Sequence, residues 1–282
     1  RERAGAEPVL VDGPFTIDLG RTSEPQLLVL PTGIGFPGDA QLPLPCVTFD
    51  ELDAIAASKK DGAWECEPGY EPDLIEAFSD LTRRHAKLLP VGGGCPTAVL
   101  AGFNMHRMKG TDPVRDTEEK VRALGDASGR VLDVCTGLGY TAIALSRAPH
   151  VERVTTIELD PAMVEMQRRN PWSRELFESA RIERLVGDAT ALLPTLPSNS
   201  FSAIVHDPPV NAIAGDLYSL AFYRELHRVL RPAGRLFHYI GDPESKASGQ
   251  LFKGVSKRLQ EAGFGPVKLA PRAYGLSTRR VR

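Results

Sequence analysis

The hydrophobic pattern changes character at about residue 112. Beyond it, short runs of valine, isoleucine and leucine alternate with segments in which apolar residues recur every three or four positions. Alternation of this kind predicts parallel strands connected by helices that cover both faces of a sheet. We therefore expect an α/β fold with a doubly wound, mostly parallel, seven-stranded sheet of the Rossmann-like type.

The predicted strands cover residues 130–135, 153–158, 182–186, 202–206 and 234–240, with two final strands at 267–269 and 274–281. The predicted helices cover residues 139–147, 161–169, 173–180, 189–193, 217–230 and 245–262. Asp116 and Glu119 have the spacing of a capping box, so a further helix is expected to begin at Asp116 and run through Leu124.

Residues 1–111 are rich in proline and glycine and predict a smaller, strand-rich accessory domain ahead of a catalytic domain at 112–282. Short strands are expected near 27–30, 86–89 and 98–100, and helices at 49–58 and 73–84. The segment 102–110, which contains Met105, His106 and Arg107, lies where a lid or a substrate-facing strand would be placed. An ordinary surface strand is the alternative.

Composition excludes several classes of protein. A formal charge of −2 in 282 residues gives no global basic field, so a surface that wraps nucleic acid is not favoured. No apolar run reaches the roughly 18 residues that a membrane span requires. The four cysteines are scattered without a Cys-x-x-Cys pair, which disfavours a metal site and a disulfide framework and favours a reducing, cytoplasmic location. The sequence begins at Arg1, so any leader is not visible in it.

A glycine turn follows the first predicted strand of the catalytic domain. Val131–Val134 lead into Gly137 and Gly139, and an apolar helical run follows. This arrangement brings backbone N–H groups and a helix N-terminus together, which suits an anionic or carboxylate-bearing ligand. About twenty residues later the second strand ends in Glu158, where an acid can accept hydrogen bonds from ribose hydroxyls. Together these two features predict a nucleotide-cofactor site.

The third and fourth strands also end in acids. Asp188 follows Gly187, where its side chain could accept a hydrogen bond from an adenine amino group or simply cap the next helix. Asp207 precedes two prolines, which stiffen the loop and would hold its carboxylate at the edge of the sheet to orient an amino group for in-line attack. A plain tight turn is the alternative. His206 is either a base or a packed histidine, and we favour a role in lining the site.

These motifs resemble those of class I S-adenosylmethionine-dependent methyltransferases. The resemblance is carried by Leu132–Tyr140, Thr156–Glu158, Gly187-Asp188 and Asp207–Pro209. A closer resemblance, to predicted archaeal-type methyltransferases with a spermidine-synthase-like core, covers roughly residues 102–282. It is carried by Met105–Arg107, Asn170–Ser173, His206–Pro209, Leu217–Ser219 and Phe237–Tyr239. The first hundred residues resemble no family that we can name.

The resemblance implies S-adenosyl-L-methionine as the cofactor and assigns roles to individual residues. The methionine part would be held by Asp133, Cys135, Thr136, Gly137, Gly139, Tyr140 and Thr141. The ribose would be held by Glu158, and the adenine by Leu159, Gly187, Asp188 and Ala189. Asp207 and His206 would be catalytic, and the substrate would be met by Met105, His106, Arg107, Pro208 and Tyr239. No metal is implied.

The Asp-Pro-Pro loop resembles the Asp/Asn-Pro-Pro-aromatic motif of methyltransferases that act on the amino groups of nucleobases, glutamine or free amines. Val210 stands where those enzymes usually carry tyrosine or phenylalanine. Without that ring a flipped base has no stacking partner, so nucleobases are disfavoured. The leading hypothesis is therefore methylation of an amino group on a small molecule.

Three alternatives stay open at this point. An aminopropyltransferase would share the fold, although the cradle lacks the extra acids with which such enzymes read a polyamine. An RNA or protein methyltransferase is a second alternative, and the near-neutral charge weighs against an RNA substrate. A nicotinamide-dependent oxidoreductase is the third, because Gly137, Gly139, Ala142 and Glu158 also satisfy that fingerprint. It predicts a Tyr-x-x-x-Lys pair, which is not evident. The methyl acceptor and the oligomeric state are left open.

Overall fold

The computed structural model describes residues 7–37, 45–67, 69–92, 94–209, 213–244 and 248–281. Its N-terminal part contains two four-stranded antiparallel sheets and a two-stranded pair. The first sheet is β1 (Val9–Phe15), β2 (Glu24–Val29), β3 (Gly33–Gly35) and β4 (Val47–Thr48), followed by helix α1 (Phe49–Ser58). β5 (Trp64–Glu65) pairs with β6 (Asp73–Leu74), and β7 (Glu76–Ser79), β8 (Arg84–Val91), β9 (Gly94–Leu100) and β10 (Phe103–Asn104) form the second sheet.

The N-terminal predictions are confirmed in part. Helix α1 has the predicted bounds, and a capping box of Thr48 and Glu51 fixes its start. The helix expected at 73–84 is wrong, because these residues form β6 and β7. In β7, Glu76 pairs with Lys87 of β8 across an antiparallel ladder. Pairing with a strand that comes later in the chain decides the structure of this segment, and local periodicity does not report such pairing.

The C-terminal part alternates strands and helices as expected. The strands are β11 (Gly129–Val134), β12 (Val151–Glu158), β13 (Ile182–Val186), β14 (Phe201–His206), β15 (Leu230–Tyr239), β16 (Lys268–Ala270) and β17 (Gly275–Arg279). The helices are α2 (Pro113–Leu124), α3 (Tyr140–Ser146), α4 (Pro161–Arg169), α5 (Glu175–Glu178), α6 (Ala189–Leu192), α7 (Leu220–Val229) and α8 (Ser248–Glu261). Of the helix expected at 245–262, residues 245–247 lie outside the described residues.

These strands form one seven-stranded sheet in the order β13-β12-β11-β14-β15-β17-β16. The first five strands run parallel, and β17 is antiparallel to both β15 and β16. The predicted α/β fold with a mostly parallel seven-stranded sheet is therefore confirmed. β11 lies between β12 and β14, so the strand order reverses there, and in open sheets of this type ligands bind in the crevice at the carboxyl ends of such strands.

Helix α2 begins earlier than the sequence predicted. Its N-cap is Asp112, whose carboxylate accepts a hydrogen bond from the backbone N–H of Arg115, and Pro113 occupies the first turn. Asp116 is therefore not a cap. It lies inside the helix with a fully buried side chain, and its partners are described with the site below.

Two other predicted helices are shorter than expected. In place of the helix expected at 173–180, the chain forms a 3-10 turn at Pro171–Ser173 and then the short helix α5. Residues 217–230 begin with the 3-10 turn Gly215–Tyr218, after which Ser219 caps helix α7 through the backbone N–H of Phe222. The turn before α7 matters because its residues border the site.

The second N-terminal sheet packs directly on the C-terminal part of the chain. Ala86 and Leu88 of β8 lie in one buried cluster with Leu138, Met163 and Met166 of the glycine turn and α4. This contact places the hairpins of the second N-terminal sheet beside the carboxyl edge of the seven-stranded sheet. The expected domain boundary between residues 111 and 112 stays a prediction.

Within the described ranges, no helix is long and apolar enough to cross a membrane. The same part of the chain contains no cluster of three or more histidine, cysteine, aspartate or glutamate side chains placed to hold a metal ion. The cytoplasmic location stays a prediction.

Candidate active site

A cavity of about 370 Å³ opens at the carboxyl ends of β11, β12, β13 and β14. Its size is in the range of small-molecule sites. The C-terminal part of the chain supplies most of the lining, and Thr82, Arg84, Leu100, Phe103 and Asn104 extend it from the second N-terminal sheet. The cavity therefore lies between the two parts of the chain.

The glycine turn forms the floor of the cavity. Its backbone enters the left-handed region at Cys135 (φ 72°) and Gly137 (φ 55°). A Cβ atom on Gly137 would lie 2.7 Å from Sδ of Met105, which covers the turn from the segment before α2. The Gly137 N–H donates a hydrogen bond to Oε2 of Glu158, with an N to O distance of 2.8 Å. Glycine at 137 thus permits both the turn and the close approach of Met105.

Gly139 serves packing and does not line the cavity. Its φ angle is 83°, and a Cβ atom there would lie 2.1 Å from Cδ1 of Leu176. Leu176 is buried against the start of α3. This glycine lets α3 approach Leu176, and the predicted contact between Gly139 and the cofactor stays a prediction.

Glu158 lies at the end of β12 and lines the cavity. Its two carboxylate oxygens accept hydrogen bonds from the backbone N–H groups of Gly137 and Asp160, at 2.8 and 2.9 Å. Burial raises the pKa of Glu158 to about 7, although these hydrogen bonds oppose the shift. The carboxylate is thus fixed in position, and its charge changes near neutral pH.

Asp133 lies beneath the cavity and does not line it. One carboxylate oxygen accepts a hydrogen bond from Oγ1 of Thr156 at 2.7 Å, and the other is buried without a partner among the described residues. Burial raises the pKa of Asp133 to about 7. Cys135 and Thr136 line the cavity, whereas the contact between Asp133 and the methionine part of a cofactor stays a prediction.

Asp188 combines the two roles that the sequence left open. Its carboxylate caps α6 by accepting hydrogen bonds from both N–H and Oγ1 of Thr190, each at 2.8 Å. The same residue lines the cavity with Gly187 and Ala189, and so does the exposed Leu159 that follows β12. The helix cap is present, and the adenine contact stays a prediction.

Asp207 follows β14 and faces the cavity. Its carboxylate accepts a hydrogen bond from Nζ of Lys120 at 2.6 Å. Lys120 also contacts Asp116 on the same helix at 2.9 Å, and Asp116 pairs in turn with Arg107. Asp207 is therefore the last member of a chain of four alternating charges, which we call the charge tetrad (Arg107, Asp116, Lys120 and Asp207).

His206 lies outside the cavity, which corrects its assignment as a catalytic residue. Its side chain is fully buried, and its Nε2–H donates to the carbonyl of Leu217 at 3.0 Å. The ring packs on His238 with 4.4 Å between centroids. Burial lowers the pKa of His206 to about 4, so the imidazole is neutral at physiological pH. The packed-histidine alternative describes it.

His106 lies on the wall of the cavity as a buried, neutral ring. It stacks on Tyr140 at 5.1 Å between centroids, and its Nδ1 is 2.9 Å from Oγ1 of Thr97. Burial lowers its pKa to about 3, and the Lys120 charge adds to this effect. Tyr140 itself donates from its hydroxyl to the carbonyl of Pro96 at 2.8 Å. These contacts make a stiff wall between the N-terminal sheet and α3.

The structure brings most of the predicted site residues together. Those that line the cavity are Cys135, Thr136, Gly137, Tyr140, Thr141, Glu158, Leu159, Gly187, Asp188, Ala189, Met105, His106, Asp207, Pro208 and Tyr239. Asp133, Gly139, His206 and Arg107 do not. Val210 lies outside the described residues.

Sequence reasoning missed several lining residues. Lys120 carried one available signal, its position four residues after Asp116 on a helix, which predicts an ion pair. Thr82 and Arg84 carried none, because their place follows from long-range packing. Thr82 donates from its hydroxyl to the carboxylate of Asp160 at 2.7 Å. Arg84 donates to the carbonyl of Ile213 at 3.4 Å.

Residues 131–234 match the sequence profile of a family described as "Methyltransferase domain". An uncharacterized protein of Methanocaldococcus jannaschii is 44% identical over 183 residues, which are 64% of this chain and 62% of that protein. Polyamine aminopropyltransferase 2 of Streptomyces coelicolor is 33% identical over 168 residues, 57% of this chain and 30% of that enzyme. Putrescine N-methyltransferase 4 of Nicotiana tabacum is 28% identical over 108 residues, 37% of this chain and 28% of that enzyme.

The matched regions thus span less than two thirds of each relative's length. Among solved structures, a spermidine synthase in complex with the transition-state analogue AdoDATO superimposes with a TM-score of 0.59 and 17% identity. The superposition covers 72% of this chain and 71% of that one. This likeness establishes a common fold for the larger part of the chain.

Proposed function

We propose that this chain transfers a methyl group from S-adenosyl-L-methionine to an amino nitrogen of a small molecule. The proposal is supported by the match of residues 131–234 to a methyltransferase-domain profile and by the fold shared with a spermidine synthase. The observation that carries the proposal is the position of Asp207. A carboxylate acceptor at the end of β14 faces the same cavity as the strand-end acids Glu158 and Asp188. A nucleotide-like cofactor and an amine can therefore be held side by side.

The lining residues fit the cofactor. Glu158 is fixed by two backbone N–H groups and offers its carboxylate to a pair of ribose hydroxyls. Leu159 and Ala189 would flank the adenine ring, and Asp188 would accept from its amino group. The methionine part would lie over the turn at Gly137. When bound, the cofactor supplies an electrophilic methyl group on a sulfonium centre.

The protein's contribution to the reaction is positioning. Asp207 would accept a hydrogen bond from the N–H of the amine and direct the nitrogen lone pair along the line of attack. The two prolines after it restrict its loop, so little order has to be gained on binding. His206 is neutral and lies outside the cavity, so it has no part in proton transfer. The amine has to arrive unprotonated and lose its proton to solvent after the transfer.

Aminopropyl transfer from decarboxylated S-adenosylmethionine is the second candidate. It is supported by the names of the Streptomyces relative and of the superimposed structure. The cavity is also lined by Asp160 and Asp216, two acids that the sequence did not predict there. Asp160 is already bonded to Thr82 and caps α4, whereas Asp216 is exposed. Methyl transfer stays first because only one of these acids is available to a second ammonium group.

The test compares the two cofactors directly. Calorimetry with S-adenosylmethionine, S-adenosylhomocysteine and decarboxylated S-adenosylmethionine measures which is bound, and a titration with NADH serves as the control for an oxidoreductase. Each cofactor is then incubated with the protein and a panel of diamines, amino acids and aromatic amines. Mass spectrometry distinguishes an acceptor that has gained a methyl group from one that has gained an aminopropyl group. Absence of binding to all three sulfur compounds at millimolar concentration would contradict the proposal.

A further inference from the structure

We propose that Lys120 is a positioning residue for this reaction, which holds Asp207 ionised and facing the cavity and is itself held by Asp116 and Arg107. The assignment of a reaction to Asp207 rests on the proposed function. The effect of Lys120 on Asp207 is independent of that function, because it concerns the charge and orientation of the Asp207 carboxylate and can be measured without a substrate.

The geometry of the charge tetrad supports this role. Nζ of Lys120 lies between two carboxylates, 2.6 Å from Asp207 and 2.9 Å from Asp116. The exposed fraction of the Lys120 side chain is 4% and that of Asp116 is 0%, whereas Asp207 retains 21% on the cavity side. The ammonium group is thus shielded from water and cannot move away from Asp207 without leaving a charge unpaired in the interior.

Each cation of the tetrad is also fixed by an aromatic ring. Lys120 lies over the ring of Tyr239 with Nζ 4.9 Å from the centroid. The guanidinium of Arg107 lies 4.4 Å from the centroid of Tyr274. Both rings belong to the C-terminal half of the sheet, at the end of β15 and just before β17. The tetrad therefore connects the segment before α2, the helix α2 and the sheet edge at Asp207.

Charge is balanced within the tetrad, since two cations alternate with two anions. Burial raises the pKa of Asp207, and the Lys120 charge opposes that rise. Burial alone would lower the pKa of Lys120, but the carboxylates of Asp207 and Asp116 outweigh it and the net shift is upward. Other titratable groups face the pair from every neighbouring element: Asp133 of β11, Cys135 of the glycine turn, His106 before α2, Tyr218 before α7 and Tyr239 of β15.

Most of these neighbours are neutral at physiological pH, so the charge that chiefly opposes the rise in the pKa of Asp207 is that of Lys120, with a smaller contribution from Arg107. Two substitutions should consequently act in opposite directions. Lys120→Met removes the stabilising cation, so the pKa of Asp207 should rise further. Asp116→Asn removes a competing anion and leaves Lys120 to Asp207 alone, so the pKa of Asp207 should fall. General loosening of the site would not produce shifts of opposite sign.

The experiment follows the side-chain carboxyl of Asp207 by carbon-13 NMR in aspartate-labelled protein, with the resonance assigned from Asp207→Asn. We expect Lys120→Met to raise the midpoint of the Asp207 titration by about one pH unit or more, Lys120→Arg to restore it in large part, and Asp116→Asn to lower it. Arg122→Met is the matched control, because Arg122 lies on the same helix, pairs with Glu119 at the surface and does not line the cavity. It should leave the titration unchanged.

The same variants are then tested for methyl transfer against pH with whichever amine of the panel is methylated. The acidic limb of the kcat profile should move to higher pH in Lys120→Met and to lower pH in Asp116→Asn. On that limb, below the midpoints of both proteins, kcat of Lys120→Met should be lower than wild type by about tenfold per pH unit of displacement. An Asp207 midpoint that is equal in wild type, Lys120→Met and Asp116→Asn would overturn the proposal. If Lys120→Met does not fold, the direction of the Asp116→Asn shift decides. Failure of the proposed function would look different: the titrations would shift as expected, but no methyl transfer would be found.

Discussion

Replacement of Gly139 by alanine tests whether this glycine serves packing or ligand contact. The residue precedes α3 with a φ angle of 83°, and a Cβ atom would meet Leu176 at 2.1, 2.5 and 2.7 Å from its Cδ1, Cγ and Cδ2 atoms. Because Cγ itself lies at 2.5 Å, rotation about the Cβ–Cγ bond of Leu176 cannot relieve the overlap. Leu176 is 1% exposed, so it has no solvent into which to move.

The expected loss of stability has two parts. Placing a residue with a Cβ atom in the left-handed region costs about 1–2 kcal/mol. Overpacking a buried leucine adds about 1–3 kcal/mol. We therefore expect Gly139→Ala to lower the free energy of unfolding by about 2–5 kcal/mol. Gly102 offers a matched control, because its φ angle is 85° but a Cβ atom there would meet nothing within 4 Å. Gly102→Ala should cost only the backbone part, about 1–2 kcal/mol.

The assay is urea unfolding followed by circular dichroism, with the free energies compared at equal slopes. A third protein, Gly139→Ala combined with Leu176→Ala, removes the overlapping atoms. Compared with Leu176→Ala alone, this double variant should lose only about 1–2 kcal/mol of unfolding free energy, since the backbone strain at position 139 is all that remains. If Gly139→Ala is no more destabilising than Gly102→Ala, the packing argument is refuted, and the glycine would have to be explained by the ligand.

Three further variants test the cavity itself. Since burial raises the pKa of Glu158 to about 7, its ionised form accumulates as the pH rises through that value, and calorimetry should show tighter binding of S-adenosylmethionine at pH 8 than at pH 6. Glu158→Gln should abolish this pH dependence and weaken binding at pH 8 by about ten- to a hundredfold, and an unchanged affinity would contradict the ribose assignment. Thr82→Val removes the donor to Asp160 and should cost about 1–2 kcal/mol in urea unfolding, whereas no loss would mean that this contact between the two parts is not formed in solution. Arg84 lines the cavity and could pair with the carboxylate of S-adenosylmethionine, which the decarboxylated form lacks. Arg84→Gln should therefore weaken binding of S-adenosylmethionine by about tenfold and leave binding of the decarboxylated form unchanged. An equal loss for both compounds would refute this contact.

The sheet was predictable because its central strands β11, β12, β14 and β15 contain short runs of apolar or β-branched residues bounded by turn residues. A run of this kind can be predicted to be a strand from its own sequence, without knowledge of the strands with which it pairs. The segment 73–84 shows the opposite case. Its residues have the composition of a helix, and only antiparallel pairing of Glu76 and its neighbours with β8 makes it a strand. Pairing between strands depends on both segments, so the sequence pattern of residues 73–84 alone could not predict it.

The residues of the site likewise divide into those that local sequence predicts and those that depend on long-range contacts. The strand-end acids Glu158, Asp188 and Asp207 were predictable, since parallel strands place their carboxyl ends at one edge. The burial of Lys120 could not be predicted, because a buried lysine in a helix has the same local sequence pattern as an exposed one. The contact with Asp207, which lies 87 residues later, shows the difference only in the structure. The packing contact of Gly139 could not be predicted, for a related reason. Its neighbour Leu176 lies far away in sequence, and a glycine required by packing has the same signature as one required by a ligand.

The charges that line the cavity also bear on which of the two cofactors is used. S-adenosylmethionine differs from its decarboxylated form by one carboxylate, and a carboxylate placed in a partly enclosed cavity needs a cation or N–H donors. Lys120 cannot serve, because Asp207 and Asp116 already neutralise it. Of the cations that line the cavity in the described part of the chain, Arg84 is the one that faces only a backbone carbonyl, that of Ile213. A guanidinium that has no carboxylate partner among the described residues would repel a ligand that carries only positive charge, and it would attract a ligand that carries a carboxylate. The choice between methyl and aminopropyl transfer therefore turns on a residue of the N-terminal sheet, outside the region in which the methyltransferase motifs lie.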